Sequence, residues 1–292
     1  MVKYNWTEIA GRYSDSELKR IFKDRDVEPD EKVDAVIKEL KRRNLISDDE
    51  IVKIQDDEAK VNSASSYVLS VRPNAERAKI AAILILVMLG IDIMKIVFDL
   101  LQLDLILDIK NNIPVSQQRV MYNTIREFLW AFLFIATYIF SIITFIQWFR
   151  RAYFNLHLRI SKCKYSEGWA AGSWFVPIIS LFQPYEIMRE LWKNTTTLIK
   201  GYSSEDSERS GAIVGWWWVL FISDNLLSNI TSRLEPFYNS VDNLIFATIA
   251  SLAICVIHII LAIVTYTMIK RYSAMEHELF ELEKRSLITD NI

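Results

Sequence analysis

The sequence predicts an all-α, polytopic membrane protein with four transmembrane helices, a cytosolic interfacial or re-entrant segment and a small helical unit at the N-terminus. Hydrophobic residues make up 51% of the 292 residues and are concentrated in a few uninterrupted blocks. Two blocks contain no Asp, Glu, Lys or Arg over more than about 20 residues, which is enough to cross a hydrocarbon core about 30 Å thick. The chain contains only 7 glycines and 6 prolines, so few residues interrupt these blocks.

Four stretches of sequence are predicted to span the membrane. The two uncharged blocks place spans at about residues 127–150 and 243–269. Two further spans are predicted at about residues 79–103 and 211–232, although each contains formal charges. A charge inside a bilayer is costly unless it is paired or hydrated, so the charged residues of these spans are expected to have partners.

Lysine and arginine residues at the ends of the spans predict the orientation, because cytosolic loops carry an excess of them. Arg150 and Arg151 follow the second span, and Lys270 and Arg271 follow the fourth. Both termini are therefore predicted to face the cytosol. The first residues also lack the apolar core of a signal peptide, so the start of the chain is expected to remain in the cytosol.

The chain outside the bilayer divides by composition. Residues 1–60 are predicted to form a cytosolic unit of three short helices, and residues 61–78 a linker. The membrane domain is expected at 79–271, and a cytosolic C-terminal helix at 272–292. The N-terminal unit contains no phosphate loop or set of metal ligands, so it is interpreted as a docking or solubilising module, with a ligand-sensing domain as the alternative.

Helix starts in the N-terminal unit are indicated by specific residues. Ser14 with Glu17, and Ser47 with Glu50, have the S-x-x-E spacing of a capping box. Pro29 suits the first turn of a third helix, because its fixed φ is compatible with a helix and its missing N–H has no partner to lose there.

Residues 168–200 are predicted to lie at the inner membrane surface. Its apolar portion, residues 169–182, has the length of an interfacial or re-entrant segment and is interrupted by Pro177, and its tryptophans suit the membrane interface. A second helix is expected from about Pro184, with its apolar face on the membrane. The residues expected to define this segment are Trp169, Trp174, Pro177, Pro184 and Tyr185. The predicted apolar face consists of Ile187, Met188, Leu191, Trp192, Leu198 and Ile199.

Two motifs in this region point to a family. The segments WFRRAYFNL, at 148–156, and GWAAGSWFVPIISLFQPYEIMRELW, at 168–192, resemble the signature of the bacterial membrane family called domain of unknown function 4328. The resemblance is most specific over residues 148–192 and is expected to extend to about 79–271. It implies a multi-pass protein of the bacterial cytoplasmic (inner) membrane, and it supplies no activity or site.

Catalytic patterns are absent from the sequence. The three histidines are scattered, and no H-E-x-x-H, G-x-S-x-G or glycine-rich phosphate loop occurs. Cys163 and Cys255 are predicted to be free thiols. The sequence therefore predicts neither an enzyme nor a metal or cofactor site, and its formal charge of −2 gives no reason to expect binding to duplex nucleic acid.

Polar residues within the predicted spans are the candidate functional residues. Four lie on one face of the first span at 3-4-3 spacing, and two others fall at a similar depth, about 20 Å from the cytosolic ends. The predicted ion path consists of Asp92, Lys95, Asp99, Gln102, Asp224 and His258. One interpretation is a structural network in which Lys95 pairs with Asp92 and Asp99. The other is a hydrated ion path or proton relay.

Two functional hypotheses follow. The first is an oligomeric ion-conducting channel or pore, controlled from the cytosol by a ligand or partner, of the kind that includes membrane-depolarising defence effectors. In it the first span lines an oligomer axis, and Asp104 and Asp108 add negative charge at the outer mouth. The second is a non-conducting scaffold or accessory subunit of a membrane complex.

Two patterns predict a homo-oligomer. Gly211 and Gly215 form a G-x-x-x-G motif, which permits close helix approach. Residues with a/d-like spacing continue past the fourth span, namely Tyr272, Met275, Leu279 and Leu282. Both patterns also fit packing within one subunit, so this alternative stays open.

Overall fold

The computed structural model describes residues 5–23, 28–47, 70–202, 209–234 and 240–289, and these residues form helices and connecting segments without strands. The all-α prediction is confirmed for this part of the chain. Two compact units are present, Met1–Ser66 and Tyr67–Ile292. Glu50 of the second predicted capping box and residues 61–69 of the predicted linker lie outside the described residues.

The described part of the N-terminal unit contains three helices, α1 (Trp6–Gly11), α2 (Asp15–Lys23) and α3 (Asp30–Arg42). They pack around a small apolar core, because each helix has an apolar stripe that it must remove from water. The fully buried apolar side chains of this core are Ala10, Leu18, Ile21, Ala35, Val36 and Leu40.

Side chains at the helix ends hold this unit together. Ser14 and Glu17 form the predicted capping box: the Ser14 backbone N–H donates to Glu17 at 2.8 Å, and the Glu17 N–H donates to the Ser14 hydroxyl at 3.3 Å. Pro29 has an extended conformation and is the N-cap residue of α3. It therefore lies immediately before the first helical turn, in which it was predicted. Arg43 donates to the carbonyls of Gly11 and Tyr13, which ties the end of α3 to the turn between α1 and α2.

The second unit contains the remaining helices. They are α4 (Ala75–Lys110), α5 (Gln117–Arg159), the short α6 (Trp169–Gly172), a 3-10 turn (Ile179–Leu181), α7 (Gln183–Tyr202), α8 (Ala212–Leu234) and α9 (Val241–Thr289). Helix α4 begins inside the predicted linker. Helix α9 joins the predicted fourth span and the predicted C-terminal helix in one continuous element.

Three described helices are long and apolar enough to cross a membrane: Ala75–Lys110, Gln117–Arg159 and Val241–Leu287. Helix α8 coincides with the predicted third span but is not one of them, because Asp224, Asn225 and Asn229 make its second half polar. The structure therefore supports a membrane protein with three apolar spans, and the count of four stays a prediction.

The core of the second unit lies at one end of the bundle. It is rich in aromatic side chains, since large rings fill the space where α5, α7, α8 and α9 converge. Fully or almost fully buried members include Trp148, Phe149, Tyr153, Met188, Trp217, Met268 and Tyr272. The long helices instead expose apolar residues along much of their outer surfaces, as expected for lipid contact.

Helix α7 is amphipathic, as predicted, but its apolar face packs inside the protein. Ile187, Met188 and Leu191 are fully buried in the bundle core together with the aromatic residues. The prediction that this face lies on the membrane surface is wrong, because a sequence pattern cannot distinguish an apolar face that meets lipid from one that meets neighbouring helices.

The segment before α7 is divided between exposed and buried residues. Pro177 is exposed beside Phe175 and Ile178, whereas Pro184 is buried in the first turn of α7. Trp174 lies among the rings of Phe145, Phe149, Trp217, Trp218 and Phe221, and its indole N–H has no hydrogen-bond partner among the described residues. Trp174 therefore packs in the core instead of keeping its N–H at the interface.

Residues of both patterns that predicted a homo-oligomer pack against other residues of the same chain. A Cβ atom on Gly211 would lie 3.3 Å from the Trp192 ring, so this glycine allows α7 to approach the start of α8. Tyr272, Met275 and Leu279 are buried in the core of the same chain. Gly215, in contrast, faces open space.

Candidate functional site

The six predicted polar residues are brought into contact with partners in the interior of the second unit. Helix α4 contributes four of them, α8 contributes Asp224 and α9 contributes His258. Together with their partners they form the central network, which we define as Asp92, Lys95, Asp99, Gln102, Glu127, Asp224, Thr248, Ser251 and His258.

His258 bridges two carboxylates. Its Nδ1 lies 3.4 Å from Asp92 on α4, and its Nε2 lies 2.8 Å from Asp224 on α8. The imidazole stacks against the Phe134 ring of α5, with centroids 6.2 Å apart. Three helices, α4, α8 and α9, thus each contribute one residue to this triad.

Lys95 also contacts two carboxylates. Its ammonium pairs with Asp99 one turn along α4 and with Glu127 on α5 at 2.9 Å. The same ammonium lies 4.9 Å from the centroid of the Trp130 ring, a cation–π distance. The Ser251 hydroxyl of α9 donates to Asp99 at 2.7 Å, so three helices meet at this ion pair.

The polar face of α4 points into the subunit. Asp92, Lys95 and Asp99 are exposed by only 2%, 7% and 1%, and one turn further along Gln102 donates to Thr248 of α9 at 3.3 Å. This face packs against α9 and α5 of the same chain. The arrangement does not agree with the expectation that the first span lines an oligomer axis.

Charge is unevenly distributed in the central network. Four carboxylates, on Asp92, Asp99, Glu127 and Asp224, contact two groups that can be cationic, Lys95 and His258. The nearby guanidinium of Arg126 donates instead to the Phe98 carbonyl and to the Asn123 side chain. Each group of the central network that can be cationic is thus shared by two acids.

The predicted pairing of Lys95 with Asp99 is confirmed, whereas two other details of the predicted electrostatics are wrong. Asp92 contacts His258, and the second partner of Lys95 is Glu127. Asp104 and Asp108 both pair with Arg119, at 2.5 and 2.6 Å, which offsets the negative charge expected at the outer mouth. In each case a side chain on a neighbouring helix, which spacing along one helix cannot identify, supplies the partner.

Sequence reasoning missed Glu127, Thr248 and Ser251. Glu127 was treated only as the boundary of the second span. Ser251 and Thr248 precede His258 by seven and ten positions, which places all three on one face of α9. That helical spacing is the signal that would have found them.

A second set of buried polar residues lies nearer the aromatic core. We define the end cluster as Asn74, Asn155, Arg159, Glu276 and Glu283. The Asn74 and Asn155 amides donate to Glu276 at 2.9 and 2.7 Å. Asn155 also exchanges hydrogen bonds with the backbone N–H and carbonyl of Arg72, which attaches the segment before α4 to α5.

The other half of the end cluster is an ion pair. Arg159 donates to both oxygens of Glu283 at 2.8 and 3.0 Å, and the two side chains are only 3% and 1% exposed. Both carboxylates of the end cluster therefore have their own donors.

The loop between α5 and α7 has its own polar contacts. Lys164 and the Tyr165 hydroxyl both donate to Glu186, and these two hydrogen bonds lower the pKa of that carboxyl. Burial, with a smaller contribution from the negative charge of Glu190, raises the pKa of the Cys163 thiol to about 11. Both cysteines are free thiols, as predicted. No group of three or more His, Cys, Asp or Glu side chains suited to a metal ion occurs among the described residues.

Comparison with known proteins identifies the family. The profile of the family described as Domain of unknown function (DUF4328) matches residues 111–274, more than half of the chain. The chain belongs to this family. No curated protein and no solved structure matches.

The family match covers α5 to most of α9 and begins after α4. The extension to about residue 79 that the sequence suggested is not included in it. The matched region contributes Glu127, Asp224, Ser251 and His258 to the central network, whereas their acidic and basic partners on α4 lie outside it.

Proposed function

We propose that this member of the domain of unknown function 4328 family is an ion-conducting protein of the bacterial cytoplasmic membrane, and that the conducted ion is the proton. The observation that carries the proposal is the shared pairing in the central network. Two cationic groups serve four carboxylates at a depth where unbalanced charge is costly. In this proposal the protein transfers charge and catalyses no covalent reaction.

The charge excess favours exchangeable protons. With all groups ionised and His258 protonated, the central network has two more negative than positive charges. Apolar surroundings disfavour such an excess, and the proton is the cation that fits between groups in direct contact. Donors and acceptors at 2.7–3.4 Å from one another are close enough to pass a proton along hydrogen bonds.

The layout suggests a route within one subunit. Asp224, His258 and Asp92 form one half, and Lys95, Glu127 and Asp99 form the other, with the two halves meeting one turn apart on α4. The side chain of Glu127 is 27% exposed, so it provides contact with the surroundings of the bundle. His258 is suited to the relay because each ring nitrogen faces a different carboxylate.

The proposed topology includes α8 as a fourth span, with both termini in the cytosol. Helix α8 has 23 residues, which at about 1.5 Å per residue gives about 34 Å, enough to cross the hydrocarbon core. The contact between Asp224 and His258 also supports α8 as a span, because it places the polar part of α8 beside the middle of α9.

Cysteine labelling tests this topology in a background without Cys163 and Cys255. An impermeant reagent applied from outside is expected to label cysteines placed at Ser116 and Ser240 and to leave those at Ser210 and Ser286 unlabelled until the membrane is opened. External labelling at both 116 and 286 would show that the chain crosses the membrane an even number of times between these positions, and α8 would then not be a span.

Proton flux into vesicles tests the function. Purified full-length protein is reconstituted with a pH-sensitive dye inside, and a potassium gradient with valinomycin drives proton entry. Asp92→Asn and Asp224→Asn are expected to reduce the flux at least about tenfold, because each removes one of the two carboxylates next to His258. Asp104→Asn is the matched control, since it removes a carboxylate of α4 outside the central network.

The alternative function is a non-conducting scaffold. It is favoured by the fact that each cation of the central network already contacts two carboxylates in a buried setting, as in a network that only fixes helix register. Flux no greater than that of empty vesicles, from correctly folded protein, would eliminate the proton path and leave this alternative. Flux unchanged in both network variants would place the conduction elsewhere.

A further inference from the structure

Two surface cavities adjoin each other between α7 and α8. The larger, about 580 Å³, runs along α7 and the beginning of α8, and the smaller, about 440 Å³, continues along α8. Tyr185, Ala212 and Gly215 line both. A single ligand with two chemically different parts can therefore occupy the pair.

The larger cavity is cationic. Its lining includes the side chains of Arg189, Lys193, Lys200 and Arg209, and none of the described residues that line it is acidic. Arg209 pairs with Glu278 at 2.7 Å and Lys200 has an interaction of its own, so Arg189 and Lys193 carry the positive charge on which the site depends. Thr196 and Thr197 add hydroxyl groups. Such a lining is complementary to a phosphate group.

The smaller cavity is apolar. Trp216, Trp218 and Val219 line it, and Trp216 and Val219 are 65% and 56% exposed. Along α8, Val219 lies about 10 Å from Ala212, at about 1.5 Å per residue. The positively charged part of the site and its exposed apolar part are therefore about 10 Å apart. This is close to the distance between the headgroup of a lipid and the upper part of its acyl chains.

We propose that these joined cavities bind an anionic phospholipid, with its phosphate in the cationic cavity and an acyl chain along Trp216 and Val219. Charge complementarity selects an anionic lipid over a zwitterionic one, since basic cavities between membrane helices bind anionic headgroups. The apolar cavity selects a lipid over a free phosphate, which has no part to place there. The site is separate from the central network and does not depend on proton conduction.

The joined cavities exist because of two small residues. Trp192 donates from its indole N–H to the Arg209 carbonyl at 3.3 Å and packs on Gly211, which fixes the start of α8 against α7. Gly215, one turn later, leaves open space where a side chain would otherwise stand. The open part of the G-x-x-x-G motif thus forms the passage between the two cavities.

The test measures how lipids stabilise the full-length protein in a mild non-ionic detergent. The melting temperature is recorded against increasing dioleoylphosphatidylglycerol, and the half-saturating lipid concentration is read from the curve. Dioleoylphosphatidylcholine and sodium phosphate are the comparison ligands. The anionic lipid is expected to raise the melting temperature at concentrations where the other two have no effect.

Two variants test the two features of the site. Arg189→Gln with Lys193→Gln removes two exposed cations of the lining, and Lys162→Gln with Lys270→Gln removes two exposed cations outside it. Gly215→Leu obstructs the passage and keeps the charge, and Gly90→Leu adds the same side chain at an open position of α4. The charge variant is expected to raise the half-saturating concentration at least about tenfold, from the contribution of its two basic residues to anionic lipid binding. Gly215→Leu is expected to raise it because its side chain fills the passage for the acyl chain, while both controls leave it unchanged.

Four results would overturn the proposal. Equal stabilisation by the zwitterionic lipid, or no stabilisation by the anionic one, would exclude selective binding. Site variants that match their controls would place the lipid elsewhere on the protein. Stabilisation by phosphate alone, lost in the charge variant and unaffected by Gly215→Leu, would assign the cavity to a free anion.

Discussion

The central network and the end cluster are both buried, both polar and built on the same long helices, but their donors are distributed differently. In the end cluster, Glu283 has the guanidinium of Arg159 to itself, and Glu276 accepts from two amides. In the central network, one ammonium and one imidazole are each shared by two carboxylates. Burial of polar groups is common to structural and functional sites, so the distribution of donors is the feature by which these two clusters differ.

Breaking the ion pair of the end cluster is expected to have the largest effect. Arg159→Met leaves the Glu283 carboxylate buried without its partner and should cost about 3–5 kcal/mol in the free energy of unfolding. Thermal unfolding of the detergent-solubilised protein measures this. The control is Arg150→Met, because Arg150 and Glu167 form a pair that is 59% and 37% exposed and should contribute less than about 1 kcal/mol. Equal losses in both variants would contradict the structural role of the end cluster.

Replacing a cation of the central network is expected to reduce the free energy of unfolding more than replacing a carboxylate. Lys95→Met leaves Asp99 and Glu127 without their shared cation and should destabilise the protein by about 2 kcal/mol. Asp224→Asn removes one carboxylate of the excess and should change stability by less than about 1 kcal/mol, although it reduces proton flux. Thermal unfolding of both variants, side by side, gives the difference. If Asp224→Asn cost as much as Lys95→Met, the carboxylates would not be in excess.

Asn155→Leu tests whether the end cluster joins the segment before α4 to the bundle. The substitution removes the hydrogen bonds to Arg72 and Glu276 and should cost about 2 kcal/mol, since buried groups are left unpaired. Limited proteolysis should then cleave faster near residue 72. Asn225→Leu is the control, because Asn225 is exposed and donates only to the Phe221 carbonyl of its own helix. Similar cleavage in both variants would show that Asn155 does not hold this segment.

The reactivity of the two cysteines can be measured without any substitution. Cys163 lies in the loop after α5, and Cys255 lies in α9 between Ser251 and His258 of the central network. Because the pKa of Cys163 is raised to about 11, its reactive thiolate is scarce at pH 8 and increases about tenfold with each pH unit up to that value. Alkylation followed by mass spectrometry should show Cys163 reacting at least about tenfold more slowly at pH 8 than in the denatured protein. Cys255 is buried and should remain unmodified while the protein is folded. Rapid labelling of Cys255 would indicate that water reaches the central network.

Acid should affect the N-terminal unit through Glu39. Hydrogen bonds from Arg42 and Arg43 lower the pKa of this carboxyl to about 2, below its ordinary value of 4.5. Because this pKa is lowered in the folded state, the ionised Glu39 stabilises the folded N-terminal unit above about pH 4.5. This contribution to the free energy of unfolding is lost as the pH falls toward 2. Glu39→Gln should flatten this part of the pH dependence of unfolding, measured by circular dichroism. A full acid response in the variant would assign the effect to other carboxyls.

The sequence by itself determined the features that depend on local patterns. Two uncharged apolar blocks and one apolar block that contains charges predicted the three helices that are long and apolar enough to cross a membrane, where a helix satisfies its own backbone hydrogen bonds. Spacing on one helix placed Asp92, Lys95, Asp99 and Gln102 on a common face, and Ser14 with Glu17 marked a helix start. The motifs around residues 148–192 identified the family.

Tertiary structure alone decided which groups meet across helices. The pairing of Asp92 with His258, the contact of Lys95 with Glu127 and the donors to Glu276 all join different helices. The rotation of each helix about its axis sets these contacts, and it depends on packing against several neighbours at once. The same reason explains α7, whose apolar face is plain in the sequence: burial against protein and burial in lipid favour the same residues, and only the positions of the other helices distinguish them.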